Sequence, residues 1–250
     1  MYEYIGVMMN RRKTSGELKA LAREHLLGNY RNLSGYVTLI LLISMFVNSM
    51  LVSLNFSSIW TELIVSMVEA LIMDIFTVGF IRVCMKTVRS EKLELSDFFY
   101  VVKHDPDKII IIAFVKWIFT VLFQLPLLMG ENIRQIFQIE SGMFTLIKCI
   151  LTAVFLIAFV FASILLSQCY YLYIDRADCD TSEIIRMSIE VMNHNKARFF
   201  YLCMSMVGMV LLIIITFGIG VFWVMPYMYT TLICFYEDLK GDFDGYNIKA

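Results

Sequence analysis

Asp74 and Lys116 are ionisable residues placed where ionisable residues are costly, each inside a stretch of about 20 mostly apolar residues. Asp74 lies seven residues before the end of its stretch at Ile81, and Lys116 seven residues after the start of its own at Ile109. At ~1.5 Å of rise per residue, both sit about 10 Å inside their helices. A lone charge at such depth in lipid costs roughly 2.5–3.5 kcal/mol on insertion scales. Equal depth, opposite sign and consecutive stretches predict that the two face each other. Such a pair either neutralises the interior of a bundle or lines a transport path, and both readings stand at this point. Glu69, near the middle of the stretch that holds Asp74, has no evident partner. Lys148 is close enough to the outer end of its stretch to snorkel.

Other groupings carry less chemistry. Asp175, Asp178 and Asp180 have a loose calcium-like spacing. The glycine and terminal glutamate of a calcium loop are missing, so a solvated loop is the simpler reading. Gly218-Ile219-Gly220 lacks the third glycine of a dinucleotide loop and reads as a turn. There is no serine elbow, phosphate loop or HExxH motif. His25, His104 and His194 lie far apart, and the six cysteines form no CxxC pair. These features predict a non-enzymatic chain without cofactor or metal. A net charge of −1 offers no field to attract nucleic acid.

The elements that must position these residues are membrane helices. The chain of 250 residues is 59% hydrophobic with a mean hydropathy of +0.72, against about 45–50% apolar residues in soluble domains. The expected fold is all-α: one polytopic membrane helix bundle over 1–250, with the lipid bilayer as its partner and other membrane proteins as further candidates. Six spans are expected, at about 35–54, 60–81, 109–128, 143–173, 199–217 and 221–235. Residues 1–34 precede them and 236–250 form a tail. The first residues are mixed in character and followed by Arg11-Arg12-Lys13, unlike a cleaved signal. In this layout 18 of the 21 Lys and Arg fall on one side and only Arg134 on the other. Basic loops stay cytoplasmic, so both termini are expected inside and the number of spans is even.

Three inner segments resemble one another. Leu18, Leu21, Ala22 and Leu26 share a face in the first; Leu95, Phe98, Phe99 and Val102 in the second; Ile184, Met187, Val191 and Met192 in the third. Ser96 is the expected N-cap of the second. Each segment leads through a polar turn (Gly28-Asn29-Tyr30-Arg31, His104-Asp105-Pro106-Asp107-Lys108, Asn193-His194-Asn195-Lys196) into an odd-numbered span. The pattern predicts three units of interfacial amphipathic helix plus transmembrane hairpin. The alternative is that any inner loop entering a span is amphipathic.

The C-terminal third carries a specific resemblance. Met192-Asn193-His194-Asn195-Lys196, Gly218-Ile219-Gly220, Pro226-Tyr227 and Phe235-Tyr236 resemble the Met-x-Gly-His-Lys, Gly-x-Gly, Pro-Tyr and Phe-Tyr pattern of the bacterial integral membrane family catalogued as domain of unknown function 975. The segment from Leu18 to Tyr30 and Gly79-Phe80 are similar too, so the likeness covers nearly the whole chain. His194-Asn195-Lys196 departs from the family's Gly-His-Lys order. Phe161-Ala162-Ser163 stands where the family often has Pro-Gly in its fourth span. The resemblance implies a multi-pass plasma-membrane protein and no particular activity. A fainter likeness to the membrane part of some glycerophosphodiester phosphodiesterases implies proximity to lipid, without their catalytic domain.

Overall fold

A computed structural model describes residues 12–53, 59–104, 106–126 and 141–246. Helix α1 (Ser15–Leu26) opens on a capping box, in which Thr14 and Glu17 satisfy each other's backbone amides. Gly28, at φ 83°, turns the chain into α2 (Tyr30–Ser53). Helix α3 (Ile59–Val88) returns and leads into two short turns, α4 (Leu95–Phe98) and α5 (Tyr100–Lys103). Helix α6 (Pro106–Gln124) starts on its proline, where a missing N–H costs nothing. Helices α7 (Ser141–Leu165) and α8 (Cys169–Asp175) follow, then α9 (Thr181–Met204), α10 (Val207–Ile215) and α11 (Val221–Tyr246). The described residues contain no strand.

Four helical stretches are long and apolar enough to cross a membrane: Tyr30–Leu51, Trp60–Val88, Gly142–Asp175 and Thr181–Ile215. Their outer parts show apolar side chains to the surroundings, among them Met45, Phe46, Met50, Ile157 and Ile215. A solvent other than water is needed for such a surface. Two of the six expected spans are not among the four. The described part of α6 is 19 residues long and carries Asp107, Lys108 and Lys116; residues 127–140, with most of the loop expected after it, lie outside the described residues. Helix α11 is diluted by tyrosines, threonines and Pro226.

The packed core lies at the charged end of the helices. Leu18, Ala22 and Leu26 of α1 are buried there, with Phe98 and Val101 of α4 and α5, Ile184, Met187 and Met192 of α9, and Phe235 and Leu239 of α11. All three amphipathic segments are helical, as expected. The apolar faces of the first and third meet protein rather than the membrane surface, whereas in the second only Phe98 is buried and Leu95, Phe99 and Val102 are exposed. Helix α11 explains the cover of the first and third. It packs along α1, α2 and α3 and supplies the apolar partner that no local pattern announced. Gly79 lets α4 touch α3 backbone to backbone: a Cβ there would stand 1.9 Å from the Phe98 carbonyl oxygen.

Three further expectations need correction. The third polar turn does not form, because α9 runs without interruption through Asn193-His194-Asn195-Lys196. The second amphipathic segment is capped by Glu94 rather than Ser96; the Glu94 N–H donates to Asp97 Oδ2 at 2.9 Å. The sixth span does not start on the far side. The Ser34 hydroxyl donates to the Phe222 carbonyl at 3.0 Å, so the first turn of α11 lies beside the first turns of α2. That carbonyl is free because Pro226, four residues on, has no N–H to offer it. Ser34 is about 6 Å along α2, and Gly218 only about 6 Å further than Phe222, so the α10–α11 turn reaches about 12 Å beyond Tyr30. The hydrocarbon core is about 30 Å thick.

Candidate functional site

The buried polar site forms where α7 gives way to α8. At Leu166–Gln168 the helical ladder breaks, and Ser188 of α9 donates its hydroxyl to the freed Leu165 carbonyl at 2.6 Å. No Pro-Gly is needed for this break, which lies beyond Phe161-Ala162-Ser163. The break turns Cys169, Tyr170 and Tyr171 into the interior, where all three are buried.

Tyr170 is the hub of the site. Lys116 Nζ stands 3.9 Å from the centre of its ring, within the distance at which a cation is held by a ring face. Asp74 interacts electrostatically with the Tyr170 hydroxyl, with Lys116 and with Tyr229 of α11. Asp74 of α3 and Lys116 of α6 thus both act on Tyr170. Lys116 rests on the ring face. The Tyr170 hydroxyl is directed to the Asp74 carboxylate, while Gln168 Oε1 and Thr230 Oγ1, both on fully buried residues, have no hydrogen-bond partner among the described residues. Buried polar atoms normally find partners. Gln168 is two residues from Tyr170 and Thr230 follows Tyr229, so spare hydrogen-bonding capacity lies close to the site along the chain. Glu69 lies apart from it and accepts a hydrogen bond from Asn48 Nδ2 at 3.0 Å, a partner on α2 that sequence spacing did not reveal.

A second constellation occupies the charged end. The Arg89 guanidinium, just past the apolar part of α3, holds Asp175 at 2.7 Å and Glu237 at 2.6 Å. Lys240 reaches Asp175 at 3.1 Å, and the Tyr236 hydroxyl donates to it at 3.0 Å. Burial disfavours the Arg89 cation, but its hydrogen bonds to Asp175 and Glu237 outweigh this and raise its pKa above the ordinary arginine value. Burial first, then the negative charge of Asp175, holds the Tyr236 phenol protonated well above its usual range. Asp175 is thus an ion-paired, largely buried carboxylate and not part of a solvated loop. Asp178 remains exposed, and Asp180 caps α9 by accepting from the Ser182 N–H. Asp97 forms a second knot with Lys86 at 2.6 Å and Arg82 at 3.6 Å.

The motif residues are mostly architectural. Gly218, at φ 90°, makes the α10–α11 turn, and Gly220 fits against the Thr216 hydroxyl. Pro226 frees the carbonyl that Ser34 takes, and Tyr227 is buried beside it. Phe235 packs against Phe199 with the rings tilted by 58° and 5.4 Å apart, and Tyr236 stacks with Tyr171 at 5.4 Å. Asn193 and His194 are exposed, while Lys196 donates to Asn193 Oδ1 at 2.6 Å. The buried member of that run is Asn195, which accepts from Arg12 and donates to the Val191 carbonyl. Sequence reasoning missed Arg89, Tyr170 and Asn195. The one available signal was the Glu237-Asp238 pair after Phe235-Tyr236, acidic residues that needed cations. Arg89 takes Glu237, and Arg198 and Lys13 take Asp238.

Among the described residues no group of His, Cys, Asp and Glu has the arrangement of a metal site. No curated protein and no solved structure matches the chain. A family model does match, over residues 8–242, and its description is protein of unknown function, DUF975. The chain, from its capped first helix to the ion-paired end of α11, belongs to that family.

Proposed function

We propose that this is a non-enzymatic, permease-like multi-pass protein of the bacterial plasma membrane, with its charged end and both termini in the cytoplasm. The observation that carries the reading is the convergence of Asp74 and Lys116 on the buried Tyr170. A purely structural pair repays its desolvation only through close, fully hydrogen-bonded geometry. Here Lys116 rests on the Tyr170 ring instead of forming a close ion pair with Asp74, and Gln168 Oε1 and Thr230 Oγ1 are buried without partners among the described residues. Ionisable groups at membrane depth with spare hydrogen-bonding capacity are what a proton or ion path requires. Because α7–α8 returns to the charged end, α6 must leave it, so α6 is read as a crossing despite its charges. With α2, α3 and α7–α8 this keeps the number of crossings even, and α10–α11 then forms a re-entrant turn.

Two other readings remain. The ion-paired body at the charged end favours a membrane scaffold that binds other membrane proteins, for which the Asp74–Lys116 site is only neutralisation. The amphipathic segments at the same end favour a lipid-sensing or membrane-organising role; for an enzyme acting on lipid the sequence holds no recognisable nucleophile motif, and the described residues hold no metal-site cluster. Proteoliposomes loaded with a pH dye separate the first two. Under an imposed potential, proton entry should exceed that of empty vesicles and fall with Asp74→Asn and Lys116→Met. Correctly inserted protein with a trace equal to empty vesicles would overturn the proton path and leave the scaffold.

A further inference from the structure

A cleft of about 500 Å³ opens along the first three turns of α2, between that helix and the segment that leads into α4. This volume is in the range that holds a small ligand or headgroup, about 300–1,000 Å³. Its wall is graded. Arg31 and Asn32 line one part; Tyr36, Leu39, Leu93 and Leu95 line the rest. Along α2, Leu39 is about 12 Å deeper than Arg31. Arg31 stands next to Tyr30, where the apolar stretch of α2 begins. The cleft thus passes from cationic to apolar at the depth where a bilayer passes from headgroup to acyl chain.

The charges of this region are unequally used. Arg82, Lys86, Arg89 and Arg198 all hold carboxylates. Arg31 is exposed and has neither an ion pair nor a hydrogen bond among the described residues. The Glu94 carboxylate across the cleft is engaged by the Ser96 hydroxyl, and the Tyr36 hydroxyl by the Glu94 carbonyl. A neighbouring cleft of about 520 Å³ shares Leu93 but is lined by Glu24 and Glu91, which repel an anion. Leu95 in the wall of the first cleft and Leu27 in that of the second stand 60% and 75% exposed, as apolar groups do when they sit in a bilayer. The floor is open: a Cβ added to Gly35 would meet nothing within 4 Å.

We propose that this cleft is a phospholipid site, in which Arg31 takes the phosphate of an anionic lipid and Leu39, Leu93 and Leu95 take the upper part of an acyl chain. The proposal rests on the membrane-embedded reading of α2 and not on the transport reading. The occupant is a bilayer lipid rather than a soluble phosphate ester, because half of the wall is apolar and lies at acyl depth.

The test is lipid retention by the full-length protein, purified in detergent and followed by native mass spectrometry. Phosphatidylglycerol should be retained in preference to phosphatidylcholine. Arg31→Gln should reduce that preference about fivefold, the effect expected of one basic residue at a lipid surface. Gly35→Leu, which fills the cleft, should reduce retention of both lipids, and Lys103→Gln, outside the cleft, should change nothing. Glycerol phosphate in excess should not displace the lipid. On the unmodified chain, photoactivatable phosphatidylglycerol should label the peptides containing Leu39 or Leu93, so the answer survives if a variant does not fold. Equal retention of the two lipids, an unchanged preference in folded Arg31→Gln, label confined to other peptides, or displacement by glycerol phosphate would each overturn the site. A chain that stays in solution without detergent would instead overturn the membrane reading itself.

Discussion

Replacing Asp74 by Lys would put two cations against the Tyr170 ring with nothing to neutralise them, and Lys116→Asp would leave two carboxylates there. Each single change should cost roughly 3–5 kcal/mol, the usual result of uncompensated buried charge. The double exchange should recover part of this but not all, because a carboxylate at position 116 would face the negative ring surface of Tyr170. Folded yield and melting temperature in detergent check both statements; full tolerance of the singles would show that the charges do not interact. Asp97 makes a different prediction. Burial raises its pKa, but hydrogen bonds from Lys86 and the Glu94 N–H, with the charges of Lys86 and Arg82, bring it below the ordinary 3.8. A carboxyl with a lowered folded pKa adds stability above its unfolded value and loses it as pH falls through the folded one. The detergent-solubilised protein should therefore keep its Asp97 contribution at neutral pH and lose it only below about pH 4. In Asp97→Asn the thermal melt should be lower at pH 7, and the gap to the parent should close toward pH 3.

At the scale of elements, α11 decides how the chain is assembled, and its contact with α2 can be tested by two substitutions. Ser34→Ala leaves the Phe222 carbonyl without a donor and should cost about 1 kcal/mol. Pro226→Ala restores an N–H to that carbonyl within the helix, so in the Pro226→Ala background the loss of the Ser34 hydroxyl should cost much less. A double-mutant cycle of melting temperatures reads the coupling; additive effects would mean that the two residues act separately. The element scale also shows where local pattern misled. Ile184, Met187, Val191 and Met192 did mark a helical face, and Leu18, Ala22 and Leu26 another. What covers those faces was not readable locally, since helix period is the same whether the partner is lipid or protein. The Asn193–Lys196 run looked like a turn because Asn and His are common there. Instead the Arg12–Asn195 bond and the cover of α11 carry α9 through it.

For the whole molecule, orientation is the sharpest consequence. Reporters fused at Lys240 and before Ser141 should report opposite sides of the membrane, with Lys240 cytoplasmic. A single cysteine at Gly218, in a background without the native cysteines, should resist a membrane-impermeant thiol reagent added from outside. Rapid labelling there would restore the six-span layout. The sequence by itself determined that the chain is helical, that several of its helices are apolar enough to cross a membrane, where most apolar stretches begin and end, and which family it belongs to. These follow from composition, period and motif, all of which are local or additive along the chain. The tertiary structure decided what meets at Tyr170, which carboxylates Arg89 holds, and that the first and third amphipathic faces close on α11. Those outcomes depend on residues as far apart as Arg89 and Glu237. Long-range pairs are selected by the packing of whole helices, and no spacing within a single helix encodes them.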